Sequence, residues 1–318
     1  MKHKTRATAL VLFFLLMLLY TPNAFAALQT PLSTIVSIPP QKYLVEAIGG
    51  DLVAVRVMTG QGRDPHSYEP TSAQMADVSK AKIYFAIGVP FETLWLPKFR
   101  NLNPALRIHN HLDGIERLAN NPEHGLRIAS RHKKGAKPSP SHKHSHDHVH
   151  HGLETDDPHI WLSPKIMASL AMDIAKTLGD LAPDHAAVML ERAEALRDAI
   201  RALDARIAML FAPLPPEKRH FLTFHQSWTY YAHNYNLYEE SVEFQGKEPG
   251  PKSMAMLIDF ATRKKIKAFV TEPMTSTSAA KALASSISAT IIPATPLEEN
   301  WPDSMWLFSQ ALAAALAQ

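Results

Sequence analysis

The sequence predicts an α/β protein of two similar lobes, each a mostly parallel sheet flanked by helices, joined by one long rigid helix. Three observations carry this. Strand and helix patterns alternate from Thr34 to Asn110, and a second alternation runs from His220 towards the C-terminus. Between them, Asp184 to Phe211 contain neither Gly nor Pro and are dominated by Ala, Leu, Arg and Glu.

TIVSI (Thr34 to Ile38) is a β-branched run, and PPQKYLVEAIGG after it opens on proline and closes on glycine, as a helix does. LVAVRVMT (Leu52 to Thr59) alternates β-formers as the next strand. The loop GQGRDPHSYEP (Gly60 to Pro70) and a short helix, SAQMADVSKA, follow. KIYFAIG (Lys82 to Gly88) reads as a strand, PFETLWLPKF as a helix and LRIHN (Leu106 to Asn110) as a strand. From about 120 to 155 the pattern gives way to His, Lys, Ser and Pro, a low-complexity loop with too few apolar residues to order itself. Order resumes at DPHIWLSP (Asp157 to Pro164), with a helix from Pro164 to about Leu181.

Pro183 opens the long stretch, and Pro213, Pro215 and Pro216 close it. As a helix it spans about 42 Å at 1.5 Å per residue, enough to run the height of a two-lobed protein. A coiled-coil dimer is the alternative, but the apolar repeat is ragged over its roughly four heptads. The second series has strands at HFLTF (His220 to Phe224), YEESVEF, KAFVTEP and ATIIPA. Its helices start at Gln226, at Pro251 (running to Lys264), near Ser276 and at Pro302. The expected division is a signal peptide over 1–26, an N-terminal lobe over 27–183, a linking helix over 184–212 and a C-terminal lobe over 213–318.

Lys2, Lys4 and Arg6 precede an apolar run, Ala9 to Tyr20, and AFA (Ala24 to Ala26) supplies small residues for cleavage. The run is short of the ~20 residues a spanning helix needs. The chain carries 33 Lys and Arg against 30 Asp and Glu, and loss of this segment leaves 30 of each. The basic pI therefore belongs to the signal, and nothing argues for nucleic acid or an anionic membrane. With no cysteine, the chain has no thiolate ligand, thiol nucleophile or lipid-bearing thiol. It reads as a free periplasmic protein of a Gram-negative cell, a monomer whose metal ligands must come from His, Asp and Glu.

Three histidines stand apart in well-formed settings. His66 sits in the loop after a first-half strand, His159 in DPHIW, and His225 at the carboxyl end of HFLTF. Ligands of open α/β sheets gather at the carboxyl ends of strands, so the three converge in the cleft between lobes. Three neutral imidazoles suit Zn²⁺. Asp64 and Asp157 each precede a histidine by two positions, where a carboxylate can accept the second ring N–H or cap the turn.

GRDPHSYEPT, DPHIWLSP, FHQSWTYYAHNYNL and GKEPGPKSMAMLID resemble the periplasmic zinc-binding solute-binding proteins of the zinc/manganese ABC importer family. The resemblance covers essentially the whole mature chain in order. It implies two lobes about a long helix with the metal between them. His66, His159 and His225 would be its ligands, and the partners a membrane permease and its cytoplasmic ATPase. Many zinc members also carry a His-rich loop between the first two ligands. Many members place an Asp on the exit of the last strand, where this chain has Thr295. Three histidines without that carboxylate favour zinc over manganese. The fourth position then falls to water or to Glu69, Glu272 or Glu298, with water preferred.

HKHSHDHVHHG places His142, His144, His146, His148, His150 and His151 on the low-complexity loop, where Zn²⁺ would bind loosely because ordering the loop costs entropy. It reads as an accessory collector or a solvated spacer. Tyr68, Trp161 and Trp228 read as core aromatics, His185 and His233 as surface residues, and His109 and His111 as helpers for the loop. A manganese or other divalent-metal carrier of the same family is an alternative function. A zinc hydrolase is another, although neither HExxH nor G-x-S-x-G occurs. A surface adhesin is a third class, which no motif here specifically supports.

Overall fold

The computed structural model describes residues 30–60, 62–65, 67–118, 156–243, 250–272 and 277–318. The signal segment, His66 and the His-rich loop lie outside them. Leu32–Gln318 forms one compact unit.

The first sheet holds β1 (Leu32–Val36), β2 (Val53–Val57), β3 (Ile83–Ala86) and β4 (Arg107–Asn110), all parallel, in the order β2-β1-β3-β4. Its helices are α1 (Pro39–Gly49), α2 (Ser72–Val78) and α3 (Pro90–Leu102), followed after the loop by α4 (Pro164–Leu181). Local chemistry sets their starts. Two prolines open α1, Thr71 and Gln74 form a capping box on α2, and the Ser163 hydroxyl accepts the Ile166 N–H on α4. The second sheet repeats the pattern with β5 (His220–Thr223), β6 (Tyr238–Ser241), β7 (Ala268–Thr271) and β8 (Thr290–Pro293), again parallel, in the order β6-β5-β7-β8. It carries α6 (Thr229–Asn234), α7 (Pro251–Arg263), α8 (Thr277–Ile287) and α9 (Trp301–Ala317).

Between the sheets, α5 runs Ala186–Phe211, about 39 Å at 1.5 Å per residue. Its buried stripe is Met189, Ala193, Leu196, Ile200, Leu203, Ile207 and Phe211. That stripe packs along α4 and also meets α1 and α9, so one helix touches both halves. The surface a coiled coil would use is thereby consumed within the chain. Beyond the end of α5 the Arg219 guanidinium donates to the Phe211 carbonyl of the last turn and to the Leu214 carbonyl of the segment after it, tying the two together.

β4 ends at Asn110 as the pattern expects, but the other strands end one to three residues earlier, because pairing stops before the apolar run does. β6 closes at Ser241 rather than Phe244, and β1 begins at Leu32 and ends at Val36, before Ser37 and Ile38 turn into α1. The helix expected from Gln226 starts only at Thr229. Glu239 accepts the Ser227 and Trp228 N–H groups and holds 226–228 as a turn.

The two halves share one core. A continuous cluster joins Ile35, Phe85 and Ile174 to Phe221, Val270 and Phe308, while a smaller second cluster under α7 and α8 covers the far face of the second sheet. Polar links cross as well. Trp161 Nε1 donates to the Pro296 carbonyl (2.8 Å), Trp301 Nε1 to the Trp161 carbonyl (2.8 Å), and Asn234 Nδ2 to Ser163 Oγ (2.6 Å). Lys42 pairs with Glu299 across the same seam. Tyr68, Trp161 and Trp228 are all buried in this core.

Candidate metal centre

In both sheets strand order reverses about the first strand, and the crevice beyond the carboxyl ends there is where such folds bind ligands. His225 follows β5 by two residues, and Glu272 follows the neighbouring β7 directly. His159 opens a short 3-10 turn, Ile160–Leu162, that leads into α4. Its segment is stitched to both halves. The Asp157 N–H donates to the Leu118 carbonyl (2.9 Å), while the Tyr230 hydroxyl donates to the Asp157 carbonyl (3.0 Å) and accepts the Leu118 N–H (3.1 Å).

The structure brings His159 and His225 together, with ring centroids 5.9 Å apart and planes crossing at 72°. Each ring is held from behind by a carboxylate. His159 Nδ1 donates to Asp157 Oδ1 at 2.7 Å, and the same oxygen accepts the His159 backbone N–H at 2.8 Å. His225 Nδ1 donates to Glu243 Oε2 at 3.1 Å. A ring that gives its Nδ1 proton to a carboxylate carries its lone pair on Nε2 when neutral, the tautomer and orientation of a metal-ligating histidine. Trp161 packs edge-on to the His159 ring, 5.1 Å away, and fixes its other side.

Glu243 was absent from the sequence expectations, although the strand register contains it. Thr223 pairs with Ser241, so the residues two further along each strand, His225 and Glu243, leave the sheet side by side. Glu239 was also missed. Half-buried, it accepts the Thr223 hydroxyl (2.9 Å) together with the Ser227 (3.0 Å) and Trp228 (3.1 Å) N–H groups. It therefore clamps the turn that presents His225. No local signal separates it from Glu240, the carboxylate beside it.

The electrostatics follow from burial and from this pairing. Burial raises the Glu239 carboxyl, with the nearby Asp157 charge adding to it, to about 7 despite the donors around it. Burial would also raise Asp157, but the His159 charge and its ring and backbone donors outweigh it and hold that carboxyl below its usual range. For His225, burial works to lower the pKa. The Glu243 hydrogen bond and the charges of Glu272, Glu243 and Glu239 reverse this, and the net shift is upward. Glu272 is raised, chiefly by burial, with His225 and His159 opposing and Glu243 and Asp64 reinforcing. Glu272 thus lies within electrostatic reach of both imidazoles, and so does Asp64 of Glu272.

Of the remaining sequence candidates, Asp64 is exposed and accepts the Ser67 hydroxyl (3.1 Å), Glu69 is exposed, and Glu298 is half-buried between β8 and α9. His66, like His142, His144, His146, His148, His150 and His151, falls outside the described residues.

The sequence profile of the ZnuA family, described as zinc-uptake complex component A, periplasmic, matches residues 35–315. The chain belongs to this family. A crystal structure of ZnuA is 32% identical with a TM-score of 0.75, the match covering 89% of this chain and 98% of that one. A zinc-bound ZnuA lacking its residues 138–173 is 33% identical with a TM-score of 0.74, covering 89% and 96%. A putative metal-binding protein of Treponema pallidum is 26% identical over 271 residues, 85% of this chain and 80% of its own length. More distant relatives are named for different metals. They include a manganese ABC transporter substrate-binding lipoprotein of Streptococcus gordonii (23%, covering 72% and 68%) and the iron-binding protein YfeA of Yersinia pestis (24%, covering 75% and 68%). The chain is therefore a metal-binding, extracytoplasmic substrate-binding protein of the ABC-transporter type, a class that carries ions rather than transforming them.

Proposed function

We propose that this protein captures Zn²⁺ in the cleft with His66, His159 and His225 and delivers it to an ABC permease, which its cytoplasmic ATPase drives. The observation that carries the reading is the pair of imidazoles from opposite halves, 5.9 Å apart, each with Nδ1 committed to its own carboxylate. Imidazole nitrogen without thiolate suits Zn²⁺. The zinc-bound relative at 33% identity supports the same ion. Water fills the fourth position and donates to Glu272. The protein is a monomer, exported by cleavage near Ala26, and is free in the periplasm because no cysteine is present to take a lipid.

Zinc titration against a competing chelator tests this, using the mature chain without residues 123–154. One tight site that survives the deletion and is lost in His225→Ala supports the cleft. Tight binding that leaves with the loop overturns it. Glu272 supplies the one specific argument for a manganese carrier, since a carboxylate oxygen in the fourth position would harden the site. Mn²⁺ displacing Zn²⁺ at comparable concentration would favour that second reading.

A further inference from the structure

A second cluster of ligating side chains lies at the other edge of the first sheet. β4 is the edge strand opposite β2, whose loop carries Asp64. His109 lies within β4 and His111 just beyond it, two residues apart, so both imidazoles leave on the same face of the strand. Their ring centroids are 5.6 Å apart. Helix α4 covers that face and brings Asp173 to them, with Oδ2 2.5 Å from His109 Nε2. Each of the three side chains offers a ligand atom within 4.8 Å of the other two.

His111 supplies an independent observation. It is 1% exposed, and its Nε2 is buried with no hydrogen-bond partner among the described residues. Its Nδ1 is taken by the Gln41 amide nitrogen at 3.1 Å. A buried ring nitrogen without a partner is a cost that folds rarely leave standing. The other two residues are partly open to solvent, at 21% for His109 and 39% for Asp173, so an ion has a way in.

We propose that His109, His111 and Asp173 form a second site for a divalent transition cation, Zn²⁺ first among them. Two imidazoles and a carboxylate with the fourth position open make an ordinary zinc ligand set. The protonation states agree with the geometry. Burial, helped by His109, holds His111 down at about 3, so the ring is neutral, as a ligand must be. Burial would raise Asp173, but the His109 hydrogen bond and the charges of His109 and Lys176 keep it low and ionised. Without an ion, the proton between His109 and Asp173 stands where the cation would sit.

The site is weaker than the cleft for a definable reason. Gln41 Oε1 is committed to the Ser37 and Ile38 N–H groups, so its nitrogen donates to His111 Nδ1 and the ring proton sits on Nε2. An ion bound at Nε2 must displace that proton and disturb the Gln41 contact. The second site therefore fills after the first.

Zinc-edge anomalous diffraction from crystals of the intact chain in excess Zn²⁺ tests the proposal, with His109→Ala and Asp173→Ala as partly exposed substitutions that spare the buried ring. The expected result is a peak among the three side chains in the parent. It should be absent from both variants, while the peak in the cleft persists in all three proteins. An occupied cleft with no peak at the triad overturns the proposal, as does a triad peak that survives both substitutions. A triad peak beside an empty cleft would leave this site standing and remove the functional reading instead.

Discussion

His159 and His225 come from segments 66 positions apart and from opposite halves of the chain, yet their rings meet at 5.9 Å, each backed by a carboxylate of its own half. Asp157 is sealed from solvent, whereas Glu243 is partly exposed. The two carboxylates therefore act on their histidines with different strength.

Replacing either carboxylate by its amide keeps the shape but removes the charge that orients and enriches the ring. Asp157→Asn and Glu243→Gln should each weaken zinc binding by roughly 10- to 100-fold, with the larger effect at the buried Asp157. Competition titration reads this directly. An affinity within twofold of the parent in both variants would show that the carboxylates only support the loops.

In the proposed site the ion needs a neutral His225, and the metal-free protein holds that ring's proton above the ordinary histidine pKa of 6.5. Apparent affinity should therefore begin to fall at a pH above 6.5 and continue falling as the medium is acidified. The sign for folding runs the other way in the metal-free chain. The His225–Glu243 pair stabilises fully below the unfolded pKa, and the contribution is lost as pH rises through the higher folded value. Affinity and metal-free unfolding measured across pH 5.5 to about 8 would separate the two trends. A pH-independent affinity over that range contradicts the assignment of His225 as a ligand.

Glu239 moves the stability of the fold in the same direction as pH rises. A carboxyl raised to about 7 in the fold, from an ordinary 4.5, costs stability as pH rises through that interval, because the buried site resists the charge. Glu239→Gln keeps an oxygen for the Thr223, Ser227 and Trp228 donors and removes repulsion with Asp157. The variant should match the parent near pH 4.5 and exceed it at pH 8 by on the order of 1–3 kcal/mol. Denaturant unfolding at the two values checks it, and equal stability at both would place the carboxyl's pKa elsewhere.

The halves share one apolar cluster, a common helix and the Trp161–Pro296 and Trp301–Trp161 bonds, so separating them would expose core rather than open a hinge. Metal release should involve local movement of the turns bearing the ligands. Small-angle scattering of metal-free and zinc-loaded protein should give superimposable profiles, and a rotation of one half against the other would count against this picture.

The sequence by itself determined the elements and their order. Proline at helix starts, the Thr71–Gln74 box, β-branched runs and the uninterrupted Ala186–Phe211 stretch are local features of one chain segment, so they are legible without knowing what lies across from them. The alternation of strand and helix in two series likewise implied two parallel sheets, and the strand-end position of His225 and the DPHIW motif of His159 marked both as candidates. Only the tertiary structure decided which ring nitrogen of His159 and His225 meets a carboxylate, which carboxylate stands behind each histidine, and that Glu239 holds the His225 turn. It also decided that His111, legible only as a strand-end residue, is buried against Phe85 and Gln41 beside Asp173. Tautomer, burial and charge depend on groups distant in sequence that are brought within a few ångströms, and nothing in a local pattern records those distances.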